Sequence, residues 1–153
     1  PTHPRARWPP EPAIVASVGE GYDLFISKNT LKNGYIHPSQ PADPRQLVNL
    51  GVNDTVFVRA LHRVLKPGGL VMIYNLSPAP APPGKPYIPW ADGRCPFAKA
   101  LWEAEGFQVL AFDVDDSKAA RAMGHARGWD GGTRPMDLEH DLFGHWTLAR
   151  RKK

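Results

Sequence analysis

The stretch LHRVLKPGGLVMIYNL, residues 61–76, constrains the fold more than any other part of the chain. It reads as the end of a helix, a Pro-Gly-Gly break, and a run of apolar and aromatic residues closed by Asn75. Proline disfavours helical geometry in the residue before it, and glycine permits the turn that follows. Upstream, Phe57, Ala60, Leu61, Val64 and Leu65 form one apolar stripe at helical spacing, which predicts an amphipathic helix with Asp54 as its N-cap. A one-sided helix that passes directly into a strand apolar on both faces is half of a βαβ unit, in which helices cover both faces of a parallel sheet.

The remaining segments fit the same plan. YDLFISKN, residues 22–29, predicts another buried strand, preceded by a short helix over residues 11–18. Residues 30–50 read as loop, with a short helix possible in DPRQLVNL. SPAPAPPGKPYIPWADGR, residues 77–94, is too long for a plain connection within a domain. Since it leaves the carboxyl end of a strand, it is expected to cover the ligand side as a loop or lid. Pro96 is expected to open a helix with Phe97, Ala100, Leu101 and Ala104 on one face, ended by Gly106. FQVLAFDV predicts a further buried strand, and Ser117 a helix cap with Ala119, Ala122, Met123 and Ala126 facing inward. The alternation in DLFGHWTLARR predicts a last, antiparallel strand. The fold class is therefore α/β: a Rossmann-like doubly wound sheet with parallel strands and an antiparallel closing strand.

Composition narrows the function. The 153 residues fit one domain, assigned to residues 1–149 with a basic tail at 150–153. The net charge of +4 comes from that tail: without Arg150, Arg151, Lys152 and Lys153, 15 basic side chains face 15 acidic ones. A nucleic-acid partner is therefore not indicated. The single cysteine, Cys95, excludes an internal disulfide framework, and no apolar run is long enough for a helical membrane span, so a cytoplasmic location is expected. No metal site is expected, because His140 and His145 are not at same-face helical spacing and no Cys or His cluster joins them. A Gly-x-Ser-x-Gly elbow and a phosphate loop are both missing.

YDLFISKN, LHRVLKPGGLVMIYNL, GFQVLAFDV and the final WTLARRK together resemble the second half of a class I S-adenosylmethionine-dependent methyltransferase, over residues 21–153. The resemblance implies that these pieces are the fourth strand, the helix after it, the fifth strand, and a closing pair that forms an antiparallel edge. It also implies S-adenosylmethionine as cofactor and a methyl acceptor that is a small molecule. The family's Gly-rich turn after a first strand is absent; Gly19-Glu20-Gly21 precedes a strand instead of following one. The sheet is thus expected to be incomplete, with residues 22–29 as an open apolar edge. The chain is read as a C-terminal portion of such an enzyme, completed by a missing N-terminal half or by self-pairing through that edge. The alternative is a non-catalytic α/β interaction module completed by a partner chain.

Ligands of doubly wound sheets sit beyond the carboxyl ends of the strands. By that rule and the resemblance, Ser27, Lys28, Asn29 and Thr30 are the candidate cofactor-side residues, and Tyr74 and Asn75 the candidate substrate-side ones. Trp90, Asp92 and Arg94 in the long loop supply an aromatic wall, a carboxylate and a guanidinium for a substrate. Methyl transfer needs alignment, exclusion of water and sometimes removal of a proton. His37 is the first candidate base, with Lys32 and Tyr35 beside it in the same loop. Cys95 precedes an expected helix start, which would lower its pKa, yet nothing in the sequence pairs it with a base.

Overall fold

The computed structural model describes residues 8–79 and 92–153. Helix α1 spans Pro12–Val18 and leads into strand β1, Tyr22–Lys28. A short helix α2, Asn33–Ile36, and a 3-10 turn, Pro44–Gln46, punctuate the segment before helix α3, Asp54–Val64. Strand β2, Leu65–Ser77, follows without a break. Beyond the undescribed residues come α4, Lys99–Ala104; β3, Phe107–Asp115; α5, Ser117–Ala126; α6, Leu138–Asp141; and β4, Phe143–Arg151.

The four strands make one mixed sheet in the order β1-β2-β4-β3. Strands β1 and β2 are parallel, and β4 runs antiparallel to both β2 and β3. The protein is thus α/β, with the parallel pair and antiparallel closing strands that the methyltransferase resemblance implies. Arg150 and Arg151 belong to β4, and the Arg151 guanidinium donates to the Leu65 carbonyl.

Several local expectations change. Asn53, not Asp54, caps α3, because its Oδ1 accepts the Val56 N–H at 2.9 Å. The Lys66-Pro67-Gly68-Gly69 stretch is no loop between helix and strand but an irregularity inside β2. Tyr22 pairs with Leu65 and Leu24 with Leu70, so the extra residues of β2 bulge out between those pairs. Gly68 takes a φ of 83°, and a Cβ on Gly69 would sit 2.9 Å from the Lys66 carbonyl oxygen. Both glycines are therefore required by the bulge.

Strand β3 is not a buried strand. With β4 inserted between it and β2, β3 lies at the sheet edge, and Phe107 is its one buried residue. Helix α4 begins at Lys99, with Pro96 and Phe97 in the turn ahead of it, and Trp102 rather than Ala100 or Ala104 is buried. In α5 the buried positions are Ser117, Ala120 and Gly124, one step around from the expected alanine face; the closeness of Gly144 on β4 to Ala120 sets that rotation. Asp115 Oδ1, not a Ser117 cap, accepts the Ser117 N–H at 2.8 Å.

Core packing is one-sided. Val71 and Ile73 of β2, Ala149 of β4 and Phe107 of β3 join Val58 and Leu61 of α3 and Trp102 of α4 in one buried cluster. Through it run ring contacts from Trp8 to Phe57, Phe97, Trp102 and Phe107, with centroids 5.1 to 5.6 Å apart. On the opposite face α5 packs against β4. Toward β1 that face is uncovered among the described residues: Tyr22, Leu24 and Ile26 are 45%, 47% and 62% exposed, and Leu70 and Met72 beside them are half-buried. Helices thus lie on both faces, but among the described residues the α5 face is covered only in part, and from Gly68 onward β2 alternates between buried and half-buried residues instead of being buried throughout.

Candidate active site

Polar residues meet at the carboxyl ends of β1 and β2, where parallel strands turn their loops toward a ligand. Asn29 ends β1 in a left-handed conformation, φ 57°, which asparagine tolerates better than most residues. Its backbone N–H donates to the Tyr74 carbonyl at 3.0 Å, and its Oδ1 accepts the Leu76 N–H at 2.7 Å. Asn75, 1% exposed, answers from β2: one amide nitrogen donates to the Leu31 carbonyl at 2.8 Å and to the Gly93 carbonyl at 2.9 Å. The three segments after β1, at the end of β2 and before α4 are thereby tied together. Gly93 packs closely on Ser77, as a Cβ there would lie 2.7 Å from Ser77 Oγ and would require that side chain to move.

The other predicted cofactor-side residues bond mostly within the chain. Ser27, 7% exposed, accepts the Leu31 N–H at 3.2 Å, and Thr30 Oγ1 donates to the Lys28 carbonyl at 3.3 Å. Lys28 is exposed. Ser27, Asn29 and Thr30 thus direct their side-chain oxygens to this chain's own backbone. The Asn75 Oδ1 is buried and has no hydrogen-bond partner among the described residues, yet an acceptor alone offers nothing to a carboxylate. These residues form one wall and do not by themselves fit S-adenosylmethionine as a complete holder.

Lys32 is 5% exposed; its Nζ donates to the Leu76 carbonyl and lies 4.9 Å from the centroid of the Tyr35 ring. Burial pulls its pKa from 10.5 down to about 8. Asn33 and Asp92, the latter across the loop, are joined at 2.7 Å. Asp92 also receives the Arg94 Nε at 2.9 Å and its terminal nitrogen at 2.8 Å. Burial by itself would raise the Asp92 pKa, but the hydrogen bonds from Arg94 and Asn33 together hold it at about 2. Asp92 and Arg94 are therefore mutually paired, and Trp90 lies outside the described residues.

His37 stands at the mouth. Its Nε2 is 2.8 Å from Asp54 Oδ2. Since Asn53 takes the capping role, the Asp54 carboxylate is available to orient the imidazole. The pair borders an open hollow of about 720 Å³. Its wall includes Tyr35, Ile36, Val48, Leu50 and Val52. Tyr35 thus faces the hollow while its ring neighbours Lys32, which links three of the sequence candidates.

Tyr74 does not join them. Its hydroxyl lies beside Gly144 and Asp116 at the start of α5, and burial, with Asp116 adding to it, raises its pKa. Cys95 is not activated by a helix start, since α4 begins later, and burial raises its thiol to about 11. The backbone N–H of Cys95 instead donates to Asp113 Oδ1 at 2.7 Å. Sequence reasoning missed Asp54 as a partner for His37, and Asn33 and Gly93 as parts of the loop lock. The adjacent Asn53 and Asp54 at a helix start were the only signal, because two capping residues cannot both cap. Among the described residues no group of three or more His, Cys, Asp or Glu is placed to hold a metal ion. No helix among them is long and apolar enough to cross a membrane.

The class defined by these features is an α/β unit with a polar, cross-linked cluster at the carboxyl ends of a parallel strand pair. No protein-family profile matches the chain, and no curated protein does. Among solved structures it is similar to the [4+2]-cyclase SpnF, with a TM-score of 0.44 and 17% identity over 88% of this chain and 51% of that one. It is also similar to a Galdieria sulphuraria protein assigned as a sarcosine dimethylglycine methyltransferase, with a TM-score of 0.40 and 14% identity over 88% of this chain and 54% of that one. The chain spans about half the length of each.

Proposed function

We propose that this chain is the acceptor side of an S-adenosylmethionine-dependent methyltransferase that methylates a small molecule. The observation that carries the reading is the lock between Asn29, Asn75 and the loops they hold, at the carboxyl ends of the one parallel strand pair. The resemblance of the sequence over the same elements supports it. Rigid loops suit a transfer whose rate depends on alignment.

In this reading the hollow beside Tyr35 receives the acceptor. His37, oriented by Asp54, takes the acceptor's proton, and the apolar wall of Ile36, Val48, Leu50 and Val52 limits access of water. Lys32 orients the acceptor and does not move its proton. The grip on the cofactor comes from further strands paired along the open edge of β1, with the segments that join them covering the apolar face of Tyr22, Leu24 and Ile26. Those strands belong to the same polypeptide or to a partner, and the enzyme works in the cytoplasm.

The test is transfer of label from methyl-labelled S-adenosylmethionine to a panel of small hydroxyl, amine and carboxylic acid compounds, using the product of the whole reading frame that encodes this chain. Labelled product that falls with His37→Gln and with Asp54→Asn is expected. Absence of transfer to every class would refute the reading.

A further inference from the structure

Among the described residues of this site Lys32, like the unpartnered Asn75 Oδ1, has chemistry left incomplete. Its ammonium is buried, at 5% residue exposure, and an ammonium carries three N–H donors. One goes to the Leu76 carbonyl, and the Tyr35 ring lies 4.9 Å away. Among the described residues no carboxylate forms an ion pair with it. The nearby acid that could have done so, Asp92, is held by Arg94 and Asn33. Asp54, the acid of the adjoining hollow, is held by His37. A buried charge without a counterion is costly, and chains keep one where a ligand supplies the opposite charge.

We propose that Lys32 is the anion anchor of the site and receives a carboxylate of the methyl acceptor, making the acceptor a small carboxylic acid. The inference rests on the proposed acceptor-side reading. Tyr35 connects the two parts: its ring neighbours the ammonium and it also borders the hollow. An acceptor whose carboxylate meets Lys32 lays its apolar body toward Ile36, Val48 and Leu50 and its reacting group toward His37. The Leu76 carbonyl keeps the ammonium in place, and Asn29, whose Oδ1 accepts the Leu76 N–H at 2.7 Å, holds the same residue from the peptide before it.

The experiment is a nuclear magnetic resonance titration of the full chain with benzoate and with benzamide, its neutral isostere, at constant ionic strength. Saturable shifts at Lys32, Tyr35 and Leu76 are expected with benzoate and not with benzamide. Lys32→Gln should weaken benzoate by about tenfold or more, the worth of one charge-assisted hydrogen bond, while Lys32→Arg retains binding. Equal response to the two probes, no saturable response to benzoate, or unchanged binding in Lys32→Gln would overturn the proposal. If Lys32→Gln loses its dispersed spectrum, the comparison of probes on the unaltered chain decides. A further arm uses S-adenosylhomocysteine against 5′-methylthioadenosine, which lacks the amino acid part. Shifts of the same resonances by the first compound alone, with benzoate silent, would assign the carboxylate to the cofactor and overturn the acceptor assignment. Because no methyl transfer is read, failure here is distinct from failure of the methyltransferase reading.

Discussion

The Asn75 side chain donates to the Leu31 carbonyl at 2.8 Å, joining the end of β2 to the loop that leaves β1. The same nitrogen reaches Gly93 at 2.9 Å, so one buried amide determines how three segments meet. Replacing Asn75 by Ala leaves two carbonyls without that donor, which should cost about 2 kcal/mol or more of folding stability. Asn75→Asp should cost more, because a carboxylate would face two carbonyl oxygens. Urea unfolding of both variants measures the loss, and a change within error of zero would mean that the lock is not structural.

Lys32 gives the stability a pH dependence with a definite sign. Its folded-state pKa, about 8, lies below the ordinary 10.5 because of burial. Between those values the unfolded chain holds a proton that the folded chain has released, so stability rises as pH rises through that window. Below it the charged amine is a constant penalty to folding. Urea midpoints measured across the window should rise for the natural chain relative to Lys32→Met, because Cys95 and Tyr74, whose pKa values burial raises, lower stability with rising pH equally in both chains.

Cys95 should be unreactive in the folded protein. Burial raises its thiol to about 11, so little thiolate exists at neutral pH. Ellman's reagent should modify the thiol only on unfolding, at a rate that follows denaturant concentration. Fast modification in native buffer would show that the turn before α4 opens.

The β1 face should drive association. Tyr22, Leu24 and Ile26 are large, apolar and substantially exposed beside the strand edge. Sedimentation velocity should show concentration-dependent self-association that Leu24→Lys and Ile26→Lys each reduce. The substitutions should leave thermal unfolding of the monomer nearly unchanged, since both side chains contact little.

Much of this architecture was legible because local signals agreed. The α3 stripe from Phe57 to Val64 and the β2 run after it specify a helix and a strand at one joint, and the abrupt Asn75 marks the polar end of that strand. The bulge at Gly68 and Gly69 was not legible, because a Pro-Gly-Gly sequence serves equally for a loop. Nor was the edge position of β3, which depends on β4 returning between β2 and β3, a non-local pairing that the apolar run of FQVLAFDV does not encode. The α5 face was misread for a related reason. Alanine is apolar enough for either side, and the packing of Gly124 against Leu138 and Leu142 decides. In the site, Asn75 could be chosen by strand-end position, and His37 and Lys32 by their place in the loop after β1, but the partners that give them chemical character could not. Asp54, Leu76 and Gly93 meet them across long stretches of chain.

The most direct test of the central claim is calorimetric titration of S-adenosylhomocysteine into this chain and into the product of the whole reading frame that encodes it. The account predicts saturable binding by the whole product, weakened by Asn29→Ala, and none by the 153-residue chain alone, whose wall residues bond to its own backbone. Equal binding by the chain alone would contradict the view that β1 needs further strands to hold the cofactor. No binding by the whole product would contradict the methyltransferase reading itself.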